Sequence, residues 1–122
     1  MGPVNWSAVT IGWLVAASLG VAFYGRRATP RPPFTVHLIA AVLLFVSVTM
    51  VGHMFARVGP ATLSAKPWLY FMMSGGLALT FIGPALIITA ARRETPIRDG
   101  LFDWGYFCAA FLSIGAVFWL IA

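Results

Sequence analysis

The sequence predicts an all-α integral membrane protein, an up-down-up-down bundle of four transmembrane helices with the third kinked at Pro84. Three observations lead there. Of 122 residues, 61% are hydrophobic and 9% charged, whereas a soluble domain is about half apolar and a quarter charged. The mean hydropathy is +0.92. The apolar residues fall into four runs, each close to the roughly 20 residues that cross a hydrocarbon core at 1.5 Å rise per residue. The connections between runs are short, which favours antiparallel neighbours. Four passes occupy nearly all of residues 1–122, so the chain reads as a single transmembrane domain with no soluble part.

The first span runs from Trp6 to Gly25, opened by Asn5 as a helix cap and closed by Arg26 and Arg27. It has no basic residue before it and exceeds the roughly 7 to 15 apolar residues of a signal peptide. A retained helix is expected, in a mature chain starting near Met1. The second span covers Phe34 to Ala56. It is entered through Arg31-Pro32-Pro33, prolines that can start a helix but not continue one, and ended by Arg57 and Gly59-Pro60. The third covers Pro67 to Ala91, with Gly75-Gly76 and Gly83-Pro84 inside it and Arg92-Arg93 behind it. Pro84 cannot donate to the carbonyl of Thr80, hence the expected kink. The fourth runs from Leu101 to Ala122, with Asp99 before it as a cap that also suits the positive end of the helix dipole.

Charge sets the expected orientation. The chain carries eight basic and three acidic residues, net +5, but the basic residues sit between apolar runs, which argues against a nucleic-acid partner. Arg26, Arg27, Arg31, Arg92, Arg93 and Arg98 share one face, against Arg57 and Lys66 on the other. By the positive-inside rule the first and third loops are cytoplasmic, and both termini lie outside. Trp6, Trp68, Tyr70 and Trp119 mark one interface; Tyr24, Trp104 and Tyr106 mark the other. Cys108, alone in an apolar stretch, has no disulfide partner and reads as a small packing residue.

Small residues predict the packing. Gly12, Ala16 and Gly20 recur at four-residue spacing on the first helix, Gly105, Ala109 and Ser113 on the fourth, and Gly76 and Thr80 begin a stripe on the third. Such stripes let helices approach closely where lipid supplies no hydrophobic drive. Trp13, Phe111, Phe118 and Trp119, opposite these stripes, are then expected to face outward toward a membrane partner.

Few residues carry chemistry. Glu94, Asp99 and Asp103 fall in the third loop or the first turn of the fourth helix, so the middle of the membrane is expected to hold no charge. This weakens a proton- or cation-coupled transporter. No nucleophilic triad, phosphate loop or metal-ligand spacing is present, and no enzyme activity is expected. His37 and His53, sixteen residues apart, lie about 24 Å apart on one helix and cannot share a site. His53 has Met50 and Met54 beside it, with Met72 and Met73 approaching from the third helix. Imidazole with thioethers could bind Cu(I), or the imidazole alone a haem or chlorophyll. Structural placement is the expectation, with no cofactor and no metal. His37 and Asp103, at similar depth, are expected to form a polar clamp with Arg26 or Arg27 at the inner ends of helices one, two and four.

The opening Val4-Asn5-Trp6-Ser7-Ala8-Val9, with Gly20 and Phe23-Tyr24-Gly25, resembles an uncharacterised family of small bacterial four-helix membrane proteins. Arg93-Glu94-Thr95-Pro96, leading into Leu101-Phe102-Asp103-Trp104-Gly105-Tyr106, is similar to that family's acidic-x-Gly-Tyr opening of its last helix. The first loop, Arg26 to Pro33, departs from the longer Gly-Pro-rich loop of the family. The resemblance implies four helices in a bacterial inner membrane and no particular activity. The leading expectation is a non-enzymatic accessory subunit that stabilises or assembles a larger respiratory or photosynthetic membrane complex. A small homo-oligomeric transporter or channel with the broken third helix on its path is the alternative, and a haem, pigment or copper protein centred on His53 a weaker one.

Overall fold

The computed structural model describes residues 3–26 and 32–122, with the backbone alone at residue 26. Among these residues there is no strand. Four helical stretches are long and apolar enough to cross a membrane: Trp6–Gly25, Phe34–Val58, Trp68–Arg92 and Ile97–Ile121.

Helix α1 (Trp6–Arg26) starts as its local sequence dictates: the Asn5 side chain accepts a hydrogen bond from the Ala8 amide at 3.1 Å. Helix α2 (Phe34–Val58) begins behind Pro33 and ends at Gly59, whose φ of 94° suits glycine and turns the chain into the short α3 (Pro60–Ala65). The third span is interrupted. Its pieces are α4 (Trp68–Met72), α5 (Gly75–Leu77), a π-helical turn (Ala78–Ile82) and α6 (Gly83–Arg92).

Local chemistry explains both interruptions. At the first, buried Ser74 donates its hydroxyl to the Tyr70 carbonyl at 2.6 Å, just before two glycines of poor helix propensity. At the second, Pro84 lacks an N–H for the Thr80 carbonyl, and the ladder widens to π spacing immediately before it. Helix α6 closes with Thr95 N–H bonded to Ala90 O at 3.0 Å and Glu94 at φ 56°, a left-handed position usually held by glycine.

The fourth span differs most from expectation. Helix α7 covers Ile97–Ile121, starting behind Pro96 and four residues before the expected Leu101. Asp99 is therefore inside the first turn and not the cap, with its own amide bonded to the Pro96 carbonyl. Asp103 lies six residues into the helix, about 9 Å along it, rather than in the first turn.

Helix α1 packs against both α2 and α7, and α7 packs against the pieces of the third span. Val9, Ala16, Val48, Ala110 and Ile114 are fully buried where α1, α2 and α7 meet. One end is tied by Phe55, whose ring centroid lies 5.0 Å from that of Tyr70 and 5.1 Å from that of Phe118. At the other end, which carries Arg92, Arg93 and Arg98, rings from Phe23, Tyr24, Phe102 and Tyr106 interlock across α1 and α7.

The small residues divide unevenly. Gly12 faces Val48 and Ile114, Ala16 is fully buried, and Gly20 lies against Tyr106. The stripe expected on α7 is displaced. Gly105 is exposed with open space where a Cβ would stand, and Ala109 and Ser113 are half-buried. The contact face is Tyr106, Ala110, Ile114 and Gly115 instead. On the third span Gly76 meets only Met72 of its own span, and Thr80 is exposed. Gly75 makes the close contact, against Leu112.

Phe111 and Phe118, expected to face outward, are core residues at 4% and 3% exposure, because α7 is central and covered by both α1 and the third span. Trp13 is half-buried against α2, donating its indole N–H to the Ala41 carbonyl at 2.7 Å. Trp119 does face outward, with its ring edge on Phe71.

Candidate polar cavity at the basic end

The deeper start of α7 changes what Asp103 can do. Its carboxylate accepts a hydrogen bond from the Tyr24 hydroxyl, joining α1 to α7. A cavity of about 300 Å³ opens beside this pair, between α1, α2 and α7. His37 enters it from the first turn of α2. The walls include Ala17, Gly20, Ala40 and Ala41, whose small side chains leave the space, together with Tyr106 and Phe107.

The expected clamp is thus differently wired. Asp103 and His37 line one cavity, but the carboxylate is held by Tyr24, which was expected only as an interfacial aromatic. Arg27 and the side chain of Arg26 lie outside the described residues. The available signal for Tyr24 was its place, with Tyr106, in the aromatic belt at the depth of Asp103.

Tyr106 too was expected only as an interfacial aromatic. Its hydroxyl donates to the Ala16 carbonyl at 2.9 Å inside the core, while its ring flanks Tyr24 at 5.4 Å. Asp103 and Phe107 also border a depression against α6 that includes Arg93 and Asp99. Among the described residues no cation forms an ion pair with Asp103.

His53 belongs to a separate cavity at the opposite end, shared with Met50, Met54 and Met73. Met72 is exposed and does not line it. The His53 Nδ1 lies 2.8 Å from the Thr49 carbonyl, a contact that requires a proton on Nδ1 because a carbonyl only accepts. The ring also stands edge-on to Trp6. Among the described residues no group of three or more His, Cys, Asp or Glu side chains is arranged to hold a metal. Comparison with known protein families, characterised proteins and solved structures finds no match for this chain.

Proposed function

We propose that this protein is a non-enzymatic intramembrane subunit that binds a larger membrane complex through its second helix. The carrying observation is the one-sided burial of α2. A stripe of Leu44, Val48, Val51, Gly52 and Phe55 meets the bundle, while Ile39, Val42, Leu43 and Val46 stand 59–65% exposed. In a membrane protein such residues meet lipid or another helix. A helix packed along one side within its own chain leaves the greatest surface for a partner. This moves the proposed interface to α2, away from Phe111 and Phe118.

In the proposed arrangement the helices run up-down-up-down. Contacts between the start of α1 (Val4, Val9), the end of α2 (Gly52) and the end of α7 (Phe118) support it. The π-helical turn ahead of Pro84 supports a kink there. The arginine distribution and the resemblance noted above favour a bacterial inner membrane with both termini periplasmic.

Photo-crosslinking from Leu43 and Val46 in native membranes, followed by mild-detergent purification, tests this reading. A discrete heteromeric adduct at α2 positions is expected. A protein that runs only as monomer or self-oligomer would overturn it in favour of the small transporter. One observation favours that second reading: a carboxylate inside a span, facing a cavity, is the feature a cation-handling protein needs.

A further inference from the structure

We propose that the cavity at the end of α2 opposite the arginine-rich face is a binding site for a soft monovalent metal ion, Cu(I) or its analogue Ag(I), with the His53 imidazole and the thioethers of Met50, Met54 and Met73 as ligands. The inference goes beyond the subunit reading and holds whether or not α2 carries a partner.

Two elements bring the donors together. Met50, His53 and Met54 occupy an arc of about 100° on α2, where residues three and four apart have Cβ atoms about 5–6 Å from one another. Met73, at the end of α4, lines the same cavity from the third span. The chain has five methionines and two histidines, and three of those methionines border this one cavity together with His53. A thioether side chain has three rotatable bonds, so rotamer changes alone adjust it to an ion.

Methionines in a membrane helix ordinarily only fill space. The imidazole is what points further. Its Nδ1 donates to the Thr49 carbonyl at 2.8 Å, and its ring packs edge-on to Trp6 with centroids 6.0 Å apart. These contacts fix the tautomer and restrain the ring, leaving the Nε2 lone pair without a partner among the described residues. A metal-ligating histidine is held in this way, its other nitrogen donating to a carboxylate, a backbone carbonyl or water.

Donor chemistry then selects the ion. Hard cations such as Ca²⁺ and Mg²⁺ want about six oxygen ligands, and none of these four donors is oxygen. Zn(II) takes thiolate, imidazole and carboxylate ligands, of which the set holds a single imidazole, whereas thioethers suit Cu(I). All four donors are neutral, so the bound ion keeps its full charge, and a single charge is less costly than two beside hydrocarbon. Arg57 also borders the cavity, but it is exposed in the last turn of α2, where water screens its charge.

Cys108→Ala removes the one thiol that competes for a soft ion, and Cys108 lies outside this cavity. In that background the full-length protein in zwitterionic nanodiscs is dialysed against Ag(I) alone or Zn(II) alone. Saturable uptake of one Ag(I) per chain is expected, with no comparable uptake of Zn(II). His53→Gln, and Met50→Leu combined with Met54→Leu, are each expected to weaken Ag(I) binding at least about tenfold, because each removes donors at similar side-chain volume. Met72→Leu, at an exposed methionine that does not line the cavity, is expected to remain within about threefold. If a ligand variant does not fold, X-ray absorption at the silver edge of the Cys108→Ala protein decides: both nitrogen and sulfur neighbours are expected.

Absence of saturable Ag(I) binding, Zn(II) held as well as Ag(I), undiminished affinity in a folded His53→Gln or Met50→Leu with Met54→Leu variant, an equal loss in Met72→Leu, or a silver spectrum lacking nitrogen or sulfur would each overturn the proposal. None of these outcomes bears on the α2 interface, which crosslinking tests separately.

Discussion

Gly115 offers the sharpest test of the packing described above, because its expected behaviour is opposite to that of Gly105 ten residues away on the same helix. A Cβ at Gly115 would stand 2.2 Å from the Ser74 hydroxyl oxygen and 2.6 Å from the Tyr70 carbonyl oxygen. Neither distance is sterically possible. The first partner is a short side chain already committed to Tyr70, and the second is backbone, so α7 and the third span must separate by several tenths of an ångström. Overpacking of this kind costs about 1–3 kcal/mol. Because backbone stands in the way the cost lies at the upper end of that range, and the better helix propensity of alanine returns about 1 kcal/mol at most, which leaves Gly115→Ala destabilised by about 2 kcal/mol.

At Gly105 nothing lies within 4 Å of the added carbon. Gly105→Ala is therefore expected to be neutral or more stable by up to about 1 kcal/mol. Reversible unfolding in mixed detergent micelles, followed by tryptophan fluorescence, measures both. The double variant Ser74→Ala with Gly115→Ala should recover only part of the loss, since the Tyr70 carbonyl remains in the way. Equal destabilisation by the two single alanines, or a stable Gly115→Ala, would refute this account of how α7 meets the third span.

Other consequences are open to the same measurement. Tyr106→Phe removes the buried bond to the Ala16 carbonyl, which keeps its helical bond within α1, and should cost about 1 kcal/mol; an unchanged midpoint would mean that this bond adds nothing net to the packing of α7 on α1. Glu94→Gly should stabilise the protein by about 1 kcal/mol by relieving the left-handed backbone at φ 56°. Loss of stability there would mean that the Glu94 side chain contributes more than its backbone costs. The purified protein should show no Soret or chlorophyll absorbance, and such a band that disappears in His53→Ala would reverse that expectation. A topology reporter fused after Ala122 should be active only outside the cytoplasm; cytoplasmic activity would invert the proposed orientation.

The sequence alone determined the four spans and several of their ends, because these depend on local quantities. A hydrocarbon core demands about 20 apolar residues whatever the neighbours are, and the cap at Asn5 involves atoms three residues apart. The interruptions in the third span were also marked locally, by Gly75-Gly76 and by Gly83-Pro84, although the kind of break was not. Facing direction was left to tertiary structure. A soluble helix reveals its buried side through apolar periodicity, but in a lipid-exposed bundle both sides are apolar. The small residues alone did not give the phase. Adjacent positions differ by about 100° around the helix, so Gly76 and Gly75, or Gly105 and Tyr106, belong to different surfaces. The same competition governed Asp103: Asp99-Gly100 reads locally as a helix start, yet α7 begins behind Pro96. That earlier start carries the carboxylate inward to Tyr24 and the cavity, a pairing across 79 residues that no local pattern encodes.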